Sequence, residues 1–435
     1  MEIISRREYD RKTLATRRRR LEWFREARLG MFIHYGLFSQ LGCGEWAQTQ
    51  ENFSPEEYAE LAKTFAPKEG CADEWCRRAK EMGAKYAVLT TRHHEGFSLW
   101  DSKVNPFNSY NYCGRDIVRE FVDACRKYGL RIGLYSSVMD WHHPDGGICA
   151  YDLEARARFL EYIEALNTEL LSNYGKIDIL WYDMPWPMSS SEAWDSANRN
   201  NRLRALQPDI LINNRSRMEE DFTTPEEAIK AEEGKWWEAC MTFNGFSWGY
   251  VDSDQASQYS YSAGQILKML RSCVGAGGNL LLNIGPTSDG SVPKEVNAPL
   301  DKVGAWLAEN GEAVYGEHSR FSGEEFGGNG ITHVTLSEDR KTVYFWNYFW
   351  PKNGKLTLGG YQTAPKKVSL LTTGAPVDFE LEGERLKLTG LPEECPDKHI
   401  GVTVIKAEFD EVPSYSMGSR YPQLHNGELT YKGTK

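Results

Sequence analysis

The 435-residue sequence has nine cysteines but no C-x-x-C pair. That removes the usual ligand spacing of a zinc ribbon or a redox dithiol, and an odd number of scattered cysteines gives no disulfide framework. The opening stretch, MEIISRREYDRKTLATRRRR, lacks the apolar core of a secretory signal. No apolar run approaches the roughly 18 residues of a membrane span. The expectation is a reduced, cytoplasmic protein with no membrane contact. Positive charge is in deficit: 51 Lys and Arg against 62 Asp and Glu give a formal net charge of −11. Phosphate neutralisation needs clustered cations, so nucleic acid is not an expected partner. The one basic run, Arg17–Arg20, reads as a solvated face of the first helix. No G-x-G-x-x-G follows any strand-like segment, which argues against a dinucleotide-binding sheet.

Aromatic side chains are plentiful. There are 14 Trp and 22 Tyr, and aromatics make up 12% of the chain. Beyond their use in cores, Trp and Tyr line sugar-binding clefts, because flat apolar faces pack on C–H groups while N–H and O–H groups hydrogen-bond. Short apolar runs alternate with amphipathic stretches over about the first 300 residues. LGMFIHYG (29–36), KYAVLTTRHH (85–94), LRIGLYSS (130–137), IDILWYDM (177–184), DILINNR (209–215) and NLLLNIGP (279–286) read as strands. Helical patterns lie between them, such as DIVREFVDACRKYG (116–129), where the apolar positions share one face and Gly129 stops the helix. Strands apolar on both faces and alternating with helices predict a (β/α)8-type, TIM-like barrel. A Gly-rich stretch, GEEFGGNG, precedes short alternating strands typical of an antiparallel β-sandwich. The expected organisation is a barrel over 1–320, a sandwich over 321–410 and an aperiodic tail over 411–435. The tail and the aromatic richness are compatible with self-association.

The ends of the strands carry the chemistry. His34, His93–His94–Glu95, Tyr135, Asp183, Asn213–Asn214–Arg215 and Asn283 each replace apolar residues at a C-terminal strand end. In a barrel those ends converge on one face. Carboxylates, histidines and tryptophans there, with no evident metal cluster, suggest sugar chemistry. Glycoside hydrolysis uses two carboxyl groups, one at the anomeric carbon and one that protonates the leaving oxygen. Asp183 suits the first role, because its short side chain is held near a rigid strand, with Trp181 on the same side by strand periodicity. For the second, Glu45, Glu226 and Glu238 are all candidates. His93 and His94 sit on adjacent positions, so either one or both enter the site.

At these residues the chain resembles the α-L-fucosidases of glycoside hydrolase family 29. The similarity runs from Trp23 to about Gly316, through RLGMFIHYGLFS with GEW, LTTRHHEGFSLWDSK, LSNYGKIDILWYDM, NNR, WEACMTFNGFSWGY and LLLNIGPTSDG. The resemblance implies a retaining exo-hydrolase that removes terminal α-L-fucose from glycans or glycosides without metal or cofactor, with Asp183 as nucleophile. It implies substrate contacts from His34, Glu45, Trp46, His93, His94, Tyr135, Trp181 and Arg215. Its T-P-E element points to Glu226 as acid/base, with Glu238 the alternative. One departure is visible: where the family usually has Gly after the nucleophile, Met184 and Pro185 follow. Two other readings are weighed against this one, a non-catalytic carbohydrate-binding barrel and a metal-dependent hydrolase using His93, His94 and Asp183.

Overall fold

The computed structural model describes residues 3–183, 185–232, 234–252, 259–320, 332–414, 423–425 and 428–430. Met184, the Gly-rich stretch and most of the tail lie outside them. The chain divides into two compact units, 1–261 with 279–300, and 262–278 with 301–435.

The first unit is built on seven parallel strands: β1 (Leu29–Ile33), β2 (Tyr86–Arg92), β3 (Arg131–Ser137), β4 (Ile179–Asp183), β5 (Leu211–Ile212), β6 (Glu238–Met241) and β7 (Asn279–Ile284). They are ordered β5-β4-β3-β2-β1-β7-β6. All of β1, β2, β6 and β7 is buried, as a sheet covered on both faces requires. The two edge strands are joined by the extended segment 221–227. Asn213 bridges Phe222, Thr223 bridges Trp237 and Glu226 bridges Cys240, each in parallel sense. This short bridging segment occupies the place of an eighth strand and carries Glu226.

Local sequence explains the helices between strands. Helix Ile117–Tyr128 starts where the Asp116 side chain accepts from the Arg119 N–H and ends at Gly129, in the left-handed region at φ 69°. The buried positions Ile117, Val118, Phe121, Val122 and Cys125 form its inner face. Helix Leu153–Asn173 is capped by Asp152, which accepts from the N–H groups of Glu154 and Ala155. Gly30 has a specific reason to be glycine. A Cβ there would lie 2.3 Å from the Tyr86 ring, which crosses the barrel interior toward Glu238.

Three sequence expectations need correction. DILINNR is not one strand: only Leu211 and Ile212 are extended, and Asn214–Ser216 form a 3-10 turn. The Asn213 side chain takes over the pairing, accepting from the Tyr182 N–H and donating to the Tyr182 carbonyl at 3.0 and 2.9 Å. Strand β6 was not expected, because Glu238 inside it interrupts the apolar pattern. The basic run is not wholly a solvated face. Arg20 is buried and donates to Asp221 at 2.6 Å, and Arg204 meets the same carboxylate at 2.7 Å.

The second unit holds helix Ala263–Gly275 and two antiparallel sheets. One has five strands and includes the long hairpin Thr332–Ser337 with Thr342–Asn347; the other has three, including Asp378–Glu382 with Arg385–Thr389. Alternating residues such as Val343, Phe345, Leu356, Leu358, Leu386 and Leu388 fill the core of these sheets. This is the β-sandwich pattern read from the sequence. In the tail, Gln423–His425 pairs antiparallel with Glu428–Thr430.

Candidate active site

The C-terminal ends of β1 to β5 open into a cavity of about 160 Å³ lined by Phe32, His34, Glu45, Trp46, His93, His94, Tyr135, Trp181, Asp183, Trp186, Arg215, Glu226, Cys240 and Trp248. All ten expected site residues other than Glu238 are therefore brought together.

Asp183 ends β4, and its carbonyl accepts from the Val138 N–H, which fixes the backbone. Its carboxylate accepts from the Tyr135 hydroxyl at 2.9 Å on Oδ2 and from Arg215 Nη1 at 2.5 Å on Oδ1. Both donors stabilise negative charge on the aspartate. Arg215 reaches it from the 3-10 turn after β5, with its guanidinium 4.9 Å above the Trp181 ring. Nε donates to Thr224 Oγ1 at 3.0 Å, and Nη2 donates to Glu226 Oε2 at 2.8 Å. Burial opposes the charge of Arg215, but Asp183 and Glu226 outweigh it and hold its pKa above the ordinary value. Glu226 also accepts from Trp248 Nε1 at 3.1 Å, while its side chain keeps 46% of its surface exposed at the mouth.

The histidines are buried and neutral. Burial is the main cause, pushing His34 down to about 3 and His94 to about 4, and driving His93 well below the usual range. Asn283 Nδ2 donates to the Trp248 carbonyl, so its Oδ1 faces His34 Nδ1 at 2.7 Å and fixes the proton on Nδ1. His34 Nε2 is then an acceptor. His94 Nδ1 lies 2.8 Å from Ser137 Oγ, and its Nε2 is 3.8 Å from Asp183 Oδ2, too far for a direct hydrogen bond. Both His93 and His94 line the pocket because β2 ends at Arg92, after a register shift against β3. Past that point strict alternation no longer applies. Glu95 turns away instead, accepting from the Leu37 N–H and the Tyr58 hydroxyl. His93, His94 and Asp183 do not form a group whose ligand atoms all lie within 4.8 Å; the one such group among the described residues is Glu309, Asp397 and His399.

The other two glutamates behave differently. Glu45 accepts from Ser247 Oγ and from the Trp248 and Gly249 N–H groups at 2.8 to 3.2 Å. Burial raises its pKa and these bonds partly offset the rise. Glu238 is fully buried and does not line the pocket. It accepts from Trp181 Nε1 at 3.0 Å and from the Tyr86 hydroxyl, behind the indole. Burial pushes its pKa up to about 7.

Sequence reasoning missed Phe32, Trp186, Cys240 and Trp248 as pocket residues. Trp248 lay within a recognised motif, but nothing in the spacing showed that its indole would reach Glu226.

A family model described as alpha-L-fucosidase matches residues 2–312. The tissue alpha-L-fucosidase of Macaca fascicularis is 32% identical over 423 residues, covering 89% of this chain and 86% of the relative. That of Homo sapiens is 31% identical, covering 89% and 87%. Among solved structures, alpha-L-fucosidase isoenzyme 1 from Paenibacillus thiaminolyticus superposes with a TM-score of 0.82 at 32% identity, over 91% of this chain and all of that one. A family GH29 fucosidase from Bacteroides thetaiotaomicron, described as a trapped covalent intermediate obtained with a glutamate-to-glutamine mutant, gives 0.80 at 27% identity over 90% and 96%. The pocket and these relationships lead to one assignment: the chain is a glycosidase and belongs to the alpha-L-fucosidase family, glycoside hydrolase family 29.

Proposed function

We propose that the protein is a retaining, exo-acting α-L-fucosidase that works by double displacement on fucosylated glycans or glycosides. Asp183 attacks C1 of a terminal α-L-fucosyl group as the bond from C1 to the leaving oxygen breaks. Glu226 gives its proton to that oxygen. A water then attacks C1, Glu226 takes the proton from the water, and the bond between C1 and Asp183 breaks to release fucose.

The observation that carries this reading is the shared guanidinium. Arg215 binds Asp183 through one terminal nitrogen and Glu226 through the other. Sharing one guanidinium keeps the two carboxylates close, which favours the short spacing of retaining enzymes, about 5 Å, over the gap of about 6.5–9.5 Å that inverting enzymes keep for a water. The trapped covalent intermediate described for the Bacteroides protein supports the same course. Glu226 stands at the mouth, where a leaving group departs. Glu238 is sealed behind Trp181 and has no route to the glycosidic oxygen.

The remaining pocket groups recognise the sugar. Neutral His34, His93 and His94 offer ring nitrogens to hydroxyl groups, and Glu45 offers an acceptor. Trp46 and Trp181 supply apolar walls. The 3.8 Å gap between His94 and Asp183 has room for a hydroxyl to lean toward both.

Azide rescue tests the assignment. Glu226→Ala should hydrolyse an aryl α-L-fucoside slowly and recover with azide, giving a fucosyl azide. Glu238→Ala should show no such recovery. Azide rescue at Glu238 in place of Glu226 would move the acid/base role there.

A further inference from the structure

Trp186 is an exposed aromatic residue of the pocket that the reaction scheme leaves unused. It lines the same cavity as Asp183 and Glu226, yet 65% of its surface is exposed. Its ring lies 5.9 Å from that of Trp46 at an interplanar angle of 31°. Trp46 continues inward, 5.5 Å from the His94 ring and 5.2 Å from Trp141. A row of aromatic faces thus runs from the pocket to the surface, and Trp186 is its outer end.

The backbone beneath this ring is fixed. Trp186 stands between Pro185 and Pro187, whose rings lock φ on both sides. The buried Trp194 donates from Nε1 to the carbonyls of Pro185 and Met188, at 3.1 and 3.2 Å. Arg217 donates to the Pro185 carbonyl at 3.2 Å. Exposed apolar surface held this rigidly gives up little conformational freedom on contact with a ligand.

We propose that Trp186 is the binding platform for the sugar on the leaving-group side of the scissile bond, which it stacks by the C–H face of a pyranose ring. This deepens the fucosidase reading and rests on it. Continuity with the cavity names the occupant: a substrate whose fucosyl ring fills the pocket must send its next ring out past Glu226 and along the aromatic row. A flat indole recognises the apolar face of a pyranose and makes few demands on its hydroxyl groups. Trp186 therefore distinguishes substrates with a ring beyond the bond from those without one.

The test compares Trp186→Ala and Trp186→Phe on two kinds of substrate. α-L-Fucosyl fluoride has a single atom as leaving group; disaccharides of α-L-fucose linked to galactose or N-acetylglucosamine carry a full ring. Trp186→Ala should lose about tenfold or more in kcat/KM on the best disaccharide, the loss of a stacked aromatic contact. It should keep fluoride turnover and inhibition by free fucose close to those of the unsubstituted enzyme. Trp186→Phe should recover most of the loss. Equal losses on fluoride and disaccharide, or no loss on the disaccharide, would overturn the platform. If the unsubstituted enzyme failed to cleave even the fluoride, the fucosidase reading would fall first.

Discussion

Replacing Glu238 by Gln should make the protein more stable at high pH and leave it nearly unchanged in acid. Glu238 is fully buried, and its pKa rises from 4.5 to about 7, chiefly through burial, with bonds from Tyr86 and Trp181 working the other way. A carboxyl whose folded pKa is raised holds its proton longer in the native state than in the unfolded chain. Below pH 4.5 both states are protonated, and the group adds no pH dependence. Between pH 4.5 and 7 the unfolded state loses its proton first, so stability falls as pH rises, and above 7 the penalty is complete. The difference between 4.5 and about 7, at roughly 1.4 kcal/mol for each tenfold change in proton affinity, amounts to about 3.5 kcal/mol. Glutamine has the same shape, still accepts from Trp181 Nε1, and cannot ionise. Denaturant melts followed by tryptophan fluorescence at pH 4.5, 6 and 8 would measure the difference. The variant should gain on the wild type progressively, reaching a few kcal/mol at pH 8. A difference that stays constant across this range would refute the buried, proton-holding role of Glu238.

Tyr135→Phe removes one donor from Asp183 and keeps the ring that stacks on Trp181, so kcat should fall about tenfold with the fold intact, by analogy with the loss of one hydrogen bond to a charged group. Steady-state kinetics beside a circular dichroism spectrum would check it. Asp221→Asn leaves Arg20 and Arg204 facing a neutral group in a buried network. It should destabilise the protein by about 3 kcal/mol or more, without specifically lowering kcat of the folded fraction. Thermal melts and active-site titration separate the two effects.

Much of the site was readable before any coordinates. His34, Tyr135, Trp181 and Asp183 announce themselves because an apolar strand in a closed sheet has no reason to end on polar side chains except at the mouth. Helices such as 117–128 were legible because an Asp cap, one apolar face and a closing Gly all agree. What stayed hidden depended on contacts between distant segments. Glu238 breaks the apolar pattern of β6, and only the approach of Tyr86 and Trp181 shows that it is a buried anchor rather than a pocket acid. Arg20 belonged to a charge run, and nothing local signals that Asp221, two hundred residues away, buries it. Nor does the sequence show that Arg215 joins Asp183 to Glu226, because it lies on a turn that propensity reads as strand.

As the proposed nucleophile, Asp183 must bond through a carboxylate oxygen to C1 during turnover. Reaction with 2-fluoro-fucosyl fluoride, followed by proteolysis and mass spectrometry, tests it most directly, because the fluorine slows release of the sugar from the enzyme. One 2-fluoro-fucosyl adduct per chain is expected, on the peptide carrying Asp183, and none on Asp183→Ala. An adduct on another carboxylate, or turnover with no adduct at any residue, would contradict it.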